Sequence, residues 1–228
     1  MSNPNNLKAI KMQGEVRDET GELPSLSNHT QIAPIFVGEE KKEWKIPVDL
    51  LCFHSSYFRS ALKVEFAGGK PNAVDLPAEK PEAFGLVVES LYTHQIKVAD
   101  RIKGANISHE RPSFGTLLDT WILADYLDLP RLQNLLLKIM DERATYHMEV
   151  PINEVSKAYM CTEEDLGLGR WIVDVLRWII PQNHELLECF DETPDLELLK
   201  VIFLDTLQRH HVSAREKFEL NDNHFIPE

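Results

Sequence analysis

Residues 44–62 read Trp44-Lys45-Ile46-Pro47-Val48-Asp49-Leu50-Leu51-Cys52-Phe53-His54-Ser55-Ser56-Tyr57-Phe58-Arg59-Ser60-Ala61-Leu62, and within them the apolar period changes from that of a strand to that of a helix. Trp44 and Ile46 alternate with polar neighbours, whereas Leu50, Leu51, Phe53, Tyr57, Phe58, Ala61 and Leu62 recur at helical spacing. The pair Ser55-Ser56 interrupts that spacing. A serine hydroxyl accepts well from a free N–H at a helix start, so the pattern predicts two short helices with a cap between them. Upstream, Ile32, Ile35, Phe36 and Val37 form a β-like run, and Gly38-Glu39-Glu40-Lys41-Lys42 is a polar turn, which together predict a β-hairpin. Pro34 has no N–H to give to a ladder, which places this first strand at a sheet edge or starts it late.

Downstream, Gly68-Gly69-Lys70-Pro71-Asn72 breaks the chain and Ala73–Leu76 alternates as a strand. Pro81 suits the first position of a helix, and Phe84, Val87, Val88 and Leu91 then repeat on one buried face. Val98 to Pro112 is a polar, partly basic connector, longer than an ordinary loop. Two helices follow: Phe114, Leu117, Leu118 and Trp121 share one face, and Leu132, Leu135, Leu136, Ile139 and Met140 share another after Pro130. Past Tyr146 the pattern is purely helical. Ile152, Val155 and Tyr159 mark a short helix; Leu168, Trp171, Ile172, Val175, Leu176 and Ile179 mark a longer one stopped by Pro181; Pro194 opens a last one through Leu196, Leu199, Ile202, Phe203 and Leu207. The expected organisation is a flexible segment over 1–30, an α+β domain over 31–145 with a small sheet flanked by helices, an all-helical extension over 146–211 and a flexible tail over 212–228.

A length of 228 residues accommodates a domain of ordinary size with such a helical appendage. The formal net charge of −13 repels phosphate backbones and anionic lipid, so neither nucleic acid nor membrane is an expected partner. No apolar run reaches the length of a membrane span. Met1–Asn28 is polar and lacks the apolar centre of a signal peptide, which sets the expected location as cytoplasmic or nuclear. Cys52, Cys161 and Cys189 are odd in number and widely spaced, as in a reducing compartment. On that account the triplets Asn28-His29-Thr30 and Asn106-Ile107-Ser108 are chance matches to a glycosylation signal.

Motifs that carry chemistry are missing: there is no G-x-S-x-G, no dinucleotide-binding glycine fingerprint and no C-x-x-C. Gly68-Gly69-Lys70 fails as a phosphate loop, with Val64 where the upstream glycine belongs and Pro71 after the lysine. His184-Glu185-Leu186-Leu187-Glu188 lacks the second histidine of a zinc-protease helix and reads better as a solvated helix start. Cys52 reads as a small buried hydrophobe, and His210-His211 as part of a charged helix end. The enzyme alternative is a thiol mechanism using Cys161 or Cys189 with a histidine. Neither cysteine stands in a local motif, and the acidic or helical surroundings would raise a thiol pKa. No cofactor and no metal is expected.

The block Trp44–Leu62, then Val74-Asp75-Leu76-Pro77, Pro81-Glu82-Ala83-Phe84 to Ser90-Leu91-Tyr92-Thr93, Leu117-Leu118, and Leu123-Ala124-Asp125-Tyr126-Leu127-Asp128-Leu129-Pro130-Arg131-Leu132-Gln133-Asn134 resemble, in order and with fitting spacing, the BTB/POZ domain family, particularly its fungal type. The resemblance spans about Ile32 to Arg143. It implies a non-catalytic protein-interaction adaptor of a family whose members self-associate, bind cullin scaffolds of ubiquitin ligases or recruit transcriptional regulators. Its motif residues are core positions and argue for fold more than for function. Three departures count against two family properties. Pro47 and Val48 replace a His and a basic residue of the family's strand-to-helix element, no acidic residue stands around Thr30–Ile32, and no hydrophobic-x-Glu triplet lies between Leu62 and Leu76. Cullin binding and strand-exchanged dimerisation are therefore doubted, leaving protein partners and a possible homo-oligomer. Candidate partner-binding residues are the aromatic Phe66 and Tyr126 and the basic Lys97, Arg101, Lys103 and Arg111 in and beside the central connector.

Overall fold

In a computed structural model of the protein, the described residues are 8–11, 31–62, 73–98, 112–147, 149–162, 167–183, 186, 198–203, 220 and 224–227. Their elements, in chain order, are β1 (Lys8–Lys11), β2 (Ile32–Val37), β3 (Lys42–Pro47), α1 (Val48–His54), α2 (Ser56–Ala61), β4 (Val74–Leu76), α3 (Pro81–Thr93), β5 (Gln95–Val98), α4 (Phe114–Tyr126), α5 (Pro130–His147), α6 (Ile152–Tyr159) and α7 (Gly167–Ile179), followed by a 3-10 turn (Ile180–Gln182). This is the α+β architecture expected, a small sheet flanked by helices with a helical extension. No helix among the described residues is long and apolar enough to cross a membrane.

The chain clusters into two compact units. One comprises Met1–Arg111 with Leu123–Leu132, the other Pro112–Ile122 with Gln133–Glu228. The units are thus interleaved in sequence.

In the first unit β3, β2 and β4 lie side by side in that order. The hairpin pairs Ile32 with Pro47 through to Val37 with Lys42, and β4 runs parallel to β2 from Ile35↔Val74 to Val37↔Leu76. β2 is therefore central, which corrects the edge alternative drawn from Pro34, while its ladder with β4 begins only after that residue. The register supplies the reason. Val48 N donates to Gln31 O across the hairpin, so on strand alternation the N–H groups of even-numbered β2 residues turn away from β3. Pro34 stands before the first β4 partner at Ile35, and its missing donor falls outside both ladders. Ala33, Ile35 and Val37 are fully buried, with Ile46, Val74 and Leu76 from the flanking strands. Helix α3 opens on Pro81 and buries Ala83, Phe84, Val87, Ser90 and Leu91. The Trp44 ring meets Phe84 edge-on at 5.1 Å.

A separate two-stranded ribbon pairs β1 with β5, from Lys8↔Val98 to Lys11↔Gln95. The expectation of a flexible segment over 1–30 made no provision for β1, and residues 12–30 lie outside those described. Nor did the sequence pattern predict β5. Its Ile96 is fully buried.

In the second unit Phe114, Leu117, Leu118 and Trp121 are buried, as are Leu135, Leu136, Ile139 and Met140. Trp171, fully buried on α7, stacks on Phe114 at 6.5 Å and donates its Nε1–H to Asp141 Oδ1 at 3.2 Å. The predicted faces of α6 and α7 are buried throughout. Helical residues 198–203 differ in phase from the expectation: Leu198 and Ile202 are buried, whereas Phe203 is 63% exposed. Within 212–228, the stretch expected as a flexible tail, His224 is fully buried. The rest of that tail up to 219, and the pairs His184-Glu185 and His210-His211, lie outside the described residues.

Phe58 is fully enclosed on α2. Phe58→Ala should cost about 3–5 kcal/mol, which urea denaturation would measure; an unchanged midpoint would remove Phe58 from the core. Gly38 sits at φ +78°, and a Cβ there would meet Pro81 Cγ at 3.2 Å. Gly38→Ala should lower stability by roughly 1–2 kcal/mol through backbone strain, read in the same assay.

Candidate interaction surface

The chain leaves α1 and enters α2 through a single extended residue, Ser55, at φ −134° and ψ 123°. Its N–H caps α1 by donating to Leu51 O at 3.0 Å, and its Oγ caps α2 by accepting from Phe58 N at 3.1 Å. The same hydroxyl donates to Leu127 O at 2.6 Å. That carbonyl lies in the turn ending α4, where Asp128 adopts the left-handed conformation at φ 53°. Asp128 N donates to Asp125 O and Leu129 N to Ala124 O, the paired bonds by which a helix closes over a left-handed residue. Aspartate tolerates that conformation better than most residues. Pro130 then begins α5.

Two tyrosines stand where these turns meet. The Tyr57 ring is 5.0 Å from that of Tyr126, and the Tyr126 hydroxyl donates to the Tyr57 hydroxyl at 3.4 Å. Tyr57 also packs edge-on against buried Phe58 at 5.3 Å. Tyr126 is 56% exposed. Burial pushes the Tyr57 hydroxyl up to about 12, and the Tyr126 hydroxyl beside it acts in the same direction. Tyr57 is therefore an uncharged phenol at physiological pH. Beside the pair, the Ser56 hydroxyl donates to the Asp128 carboxylate. The result is an amphipathic aromatic surface with few rotamers to lose and a polar margin, the composition favoured where proteins bind one another.

His54 ends α1, and its ring lies 5.3 Å from that of His94, which ends α3 in the left-handed conformation. Burial lowers the His54 pKa to about 4, and the positive charges of His94 and Arg131 act in the same direction. Burial and Arg131 lower His94 too. Both rings are thus neutral near pH 7. Among the described residues no three His, Cys, Asp or Glu side chains converge to hold a metal.

Of the residues singled out from sequence, Tyr126 is part of this surface. Lys97 is exposed on β5, opposite Ala9 of β1, and is not among the surface's contacts. Phe66, Arg101, Lys103 and Arg111 lie outside the described residues, as does Cys189. Cys161 is exposed beyond α6. Cys52 is half-buried, less enclosed than a core hydrophobe, and burial and Asp49 push its thiol up against the opposing pull of Arg59. Sequence reasoning missed Tyr57, although adjacent aromatics on a short helix cannot both face inward, so Tyr57-Phe58 carried the signal. Ile32 and Tyr92, at 54% and 48% exposure, were missed as well.

The family model of the BTB/POZ domain matches residues 35–144, which include Ser55, Tyr57, Phe58, Tyr126 and the turn at Asp128. No curated protein matches the chain.

Ser55→Ala removes a cap and strands the Leu127 carbonyl, so it should cost roughly 2–3 kcal/mol, whereas Ser56→Ala on the exposed margin should stay within about 0.5 kcal/mol. Equal midpoints for the two variants would contradict the clamp. The lowered His54 pKa means that the unfolded chain takes up a proton which the folded chain resists. Its contribution is whole above about 6.5 and is lost as pH falls towards about 4, on the order of 2 kcal/mol. Denaturation midpoints at pH 7.5, 5 and 4 should show this slope, and His54→Phe should flatten it.

Proposed function

We propose, from the BTB/POZ domain that residues 35–144 match, that the chain is a non-catalytic protein–protein interaction adaptor whose partner docks on the Tyr57–Tyr126 surface. BTB/POZ domains are in general interaction modules without a catalytic centre, and that match carries the adaptor reading. The location of the docking face rests on one further observation. Tyr126 stays 56% exposed although its ring packs against Tyr57. A held but solvated aromatic loses little conformational freedom when a partner covers it.

A substrate adaptor of a cullin-based ubiquitin ligase is the finer alternative. Pro47 in place of histidine and the absence of a hydrophobic-x-Glu triplet between Leu62 and Leu76 argue for a weakened cullin contact. Interface energy is concentrated in a few side chains, so losing an anchor costs about 2 kcal/mol or more, roughly thirtyfold in affinity. A thiol enzyme using Cys161 or Cys189 with a histidine is the reading from another class, and neither cysteine stands in a local motif that would support it.

Calorimetric titration with a cullin N-terminal domain should give a dissociation constant weaker than about a micromolar, and tighter binding would restore the ligase adaptor. Affinity purification with mass spectrometry, using the full chain as bait, should recover partners that Tyr126→Ala loses and Lys45→Ala, exposed on β3, retains. Recovery of the same proteins by all three baits would move the docking face elsewhere on the molecule.

A further inference from the structure

In the second unit, His224 to Pro227 lies against residues of α5 and α7 much as a bound peptide lies in a groove. Asn134 takes both backbone groups of Ile226: its Oδ1 accepts from Ile226 N at 2.7 Å and its Nδ2 donates to Ile226 O at 2.8 Å. Such a reciprocal pair reads the main chain of one residue whatever its side chain, as the edge of a sheet does, and the chain reaches it through a 3-10 turn at His224 and a bend at Phe225. Two residues earlier, the His224 ring is fully buried with Nε2 3.0 Å from Asp174 Oδ2. Asp174 is held for this contact by Arg170, whose Nε and Nη2 each reach a carboxylate oxygen at 2.9 Å, and by Arg177 at 3.7 Å. Burial alone would raise this carboxyl. The hydrogen bonds from His224 and Arg170, and the charges of Arg170 and Arg177, outweigh it and hold Asp174 below the ordinary carboxylate range.

The side chain of Ile226 fills a notch left by a glycine. A Cβ on Gly167, at φ +57°, would come within 2.7 Å of Ile226 Cδ1 and 3.3 Å of Trp121 Cζ2. Trp121 Nε1 lies on that same indole edge, is buried, and has no hydrogen-bond partner among the described residues. The seat therefore keeps a spare donor. Phe225, between the two anchored residues, has Lys138 Nζ at 5.2 Å from its ring.

We infer that this seat is a recognition site for a short peptide segment carrying histidine in a 3-10 turn and, two residues on, a β-branched aliphatic residue, and that His224–Pro227 occupies it in cis as a resident competitor. A buried carboxylate with two arginines is a poor device for stability alone, since an apolar replacement would serve at least as well. It is a good device for selecting an imidazole. A tethered segment experiences an effective concentration of about millimolar, so weak intrinsic contacts suffice to seat it and a tighter external segment displaces it. The site shares no residue with the Tyr57–Tyr126 surface and stands or falls apart from it.

The test uses the full chain carrying His224→Ala and Ile226→Ala together, which empties the groove and leaves its walls intact. A fluorescein-labelled peptide, Asn-Asp-Asn-His-Phe-Ile-Pro-Glu, is titrated by anisotropy. Saturable binding is expected to the double variant, with at least about tenfold weaker binding to the wild type. Adding Asn134→Ala, or replacing the peptide's histidine by alanine, should abolish it. A double variant that keeps its near-ultraviolet circular dichroism yet binds no peptide up to about 1 mM overturns the proposal. If the double variant does not fold, hydrogen exchange at Ile226 in the wild type decides: protection should fall as unlabelled peptide is added, and unchanged protection overturns the proposal. A dimer seen by light scattering in the wild type and lost in the double variant would make a second copy the occupant, and would also overturn it.

Discussion

One oxygen atom, Ser55 Oγ, takes part in two hydrogen bonds at once, accepting from the start of α2 and donating to the turn that ends α4. Both bonds are buried, so water cannot substitute for either partner. Because they share an atom, the break between α1 and α2 fixes where the left-handed turn at Asp128 must lie. The sequence separation is 72 residues. The positions of Tyr57 and Tyr126 are consequences of this clamp: each follows, or precedes, a clamped residue by one or two places. The aromatic surface is therefore set by the fold's own closure and not by a mobile loop.

Much of that arrangement was legible in the residues. Ser55-Ser56 announced a cap, Pro81 a helix start, and the i, i+3, i+4 spacing from Phe84 to Leu91 a buried face, because each of these signals is local. What the sequence concealed was non-local. Lys8–Lys11 has a single β-branched residue and acquires strand character only through Gln95–Val98. Pro34 signals an edge by itself, yet the register of a strand some forty positions away makes its central place harmless. His224 looks like a polar tail residue until Asp174, 50 residues earlier, is brought beside it.

Charge and exposure point to different places. The acidic balance and the basic connector draw attention to Lys97 and its neighbours. Exposure draws it to a face made of two phenols. Solvated charges contribute little unless a partner is complementary to them, whereas an ordered aromatic contributes through area. The distinction could be drawn only once burial had separated Phe58 from Tyr57.

The parallel pairing of β2 with β4 has a kinetic side. A hairpin such as β2–β3 closes over a few residues and forms within microseconds. The contact of Ile35 with Val74 cannot form that way, because the chain between them must first turn back through α1 and α2. Loop closure of that length costs entropy before any sheet contact returns it. The third strand should thus join late, after the helical crossover is in place. Until then β2 presents one unpaired edge with Pro34 upon it, a residue that hinders intermolecular strand addition during the interval when the nascent sheet is most open to it.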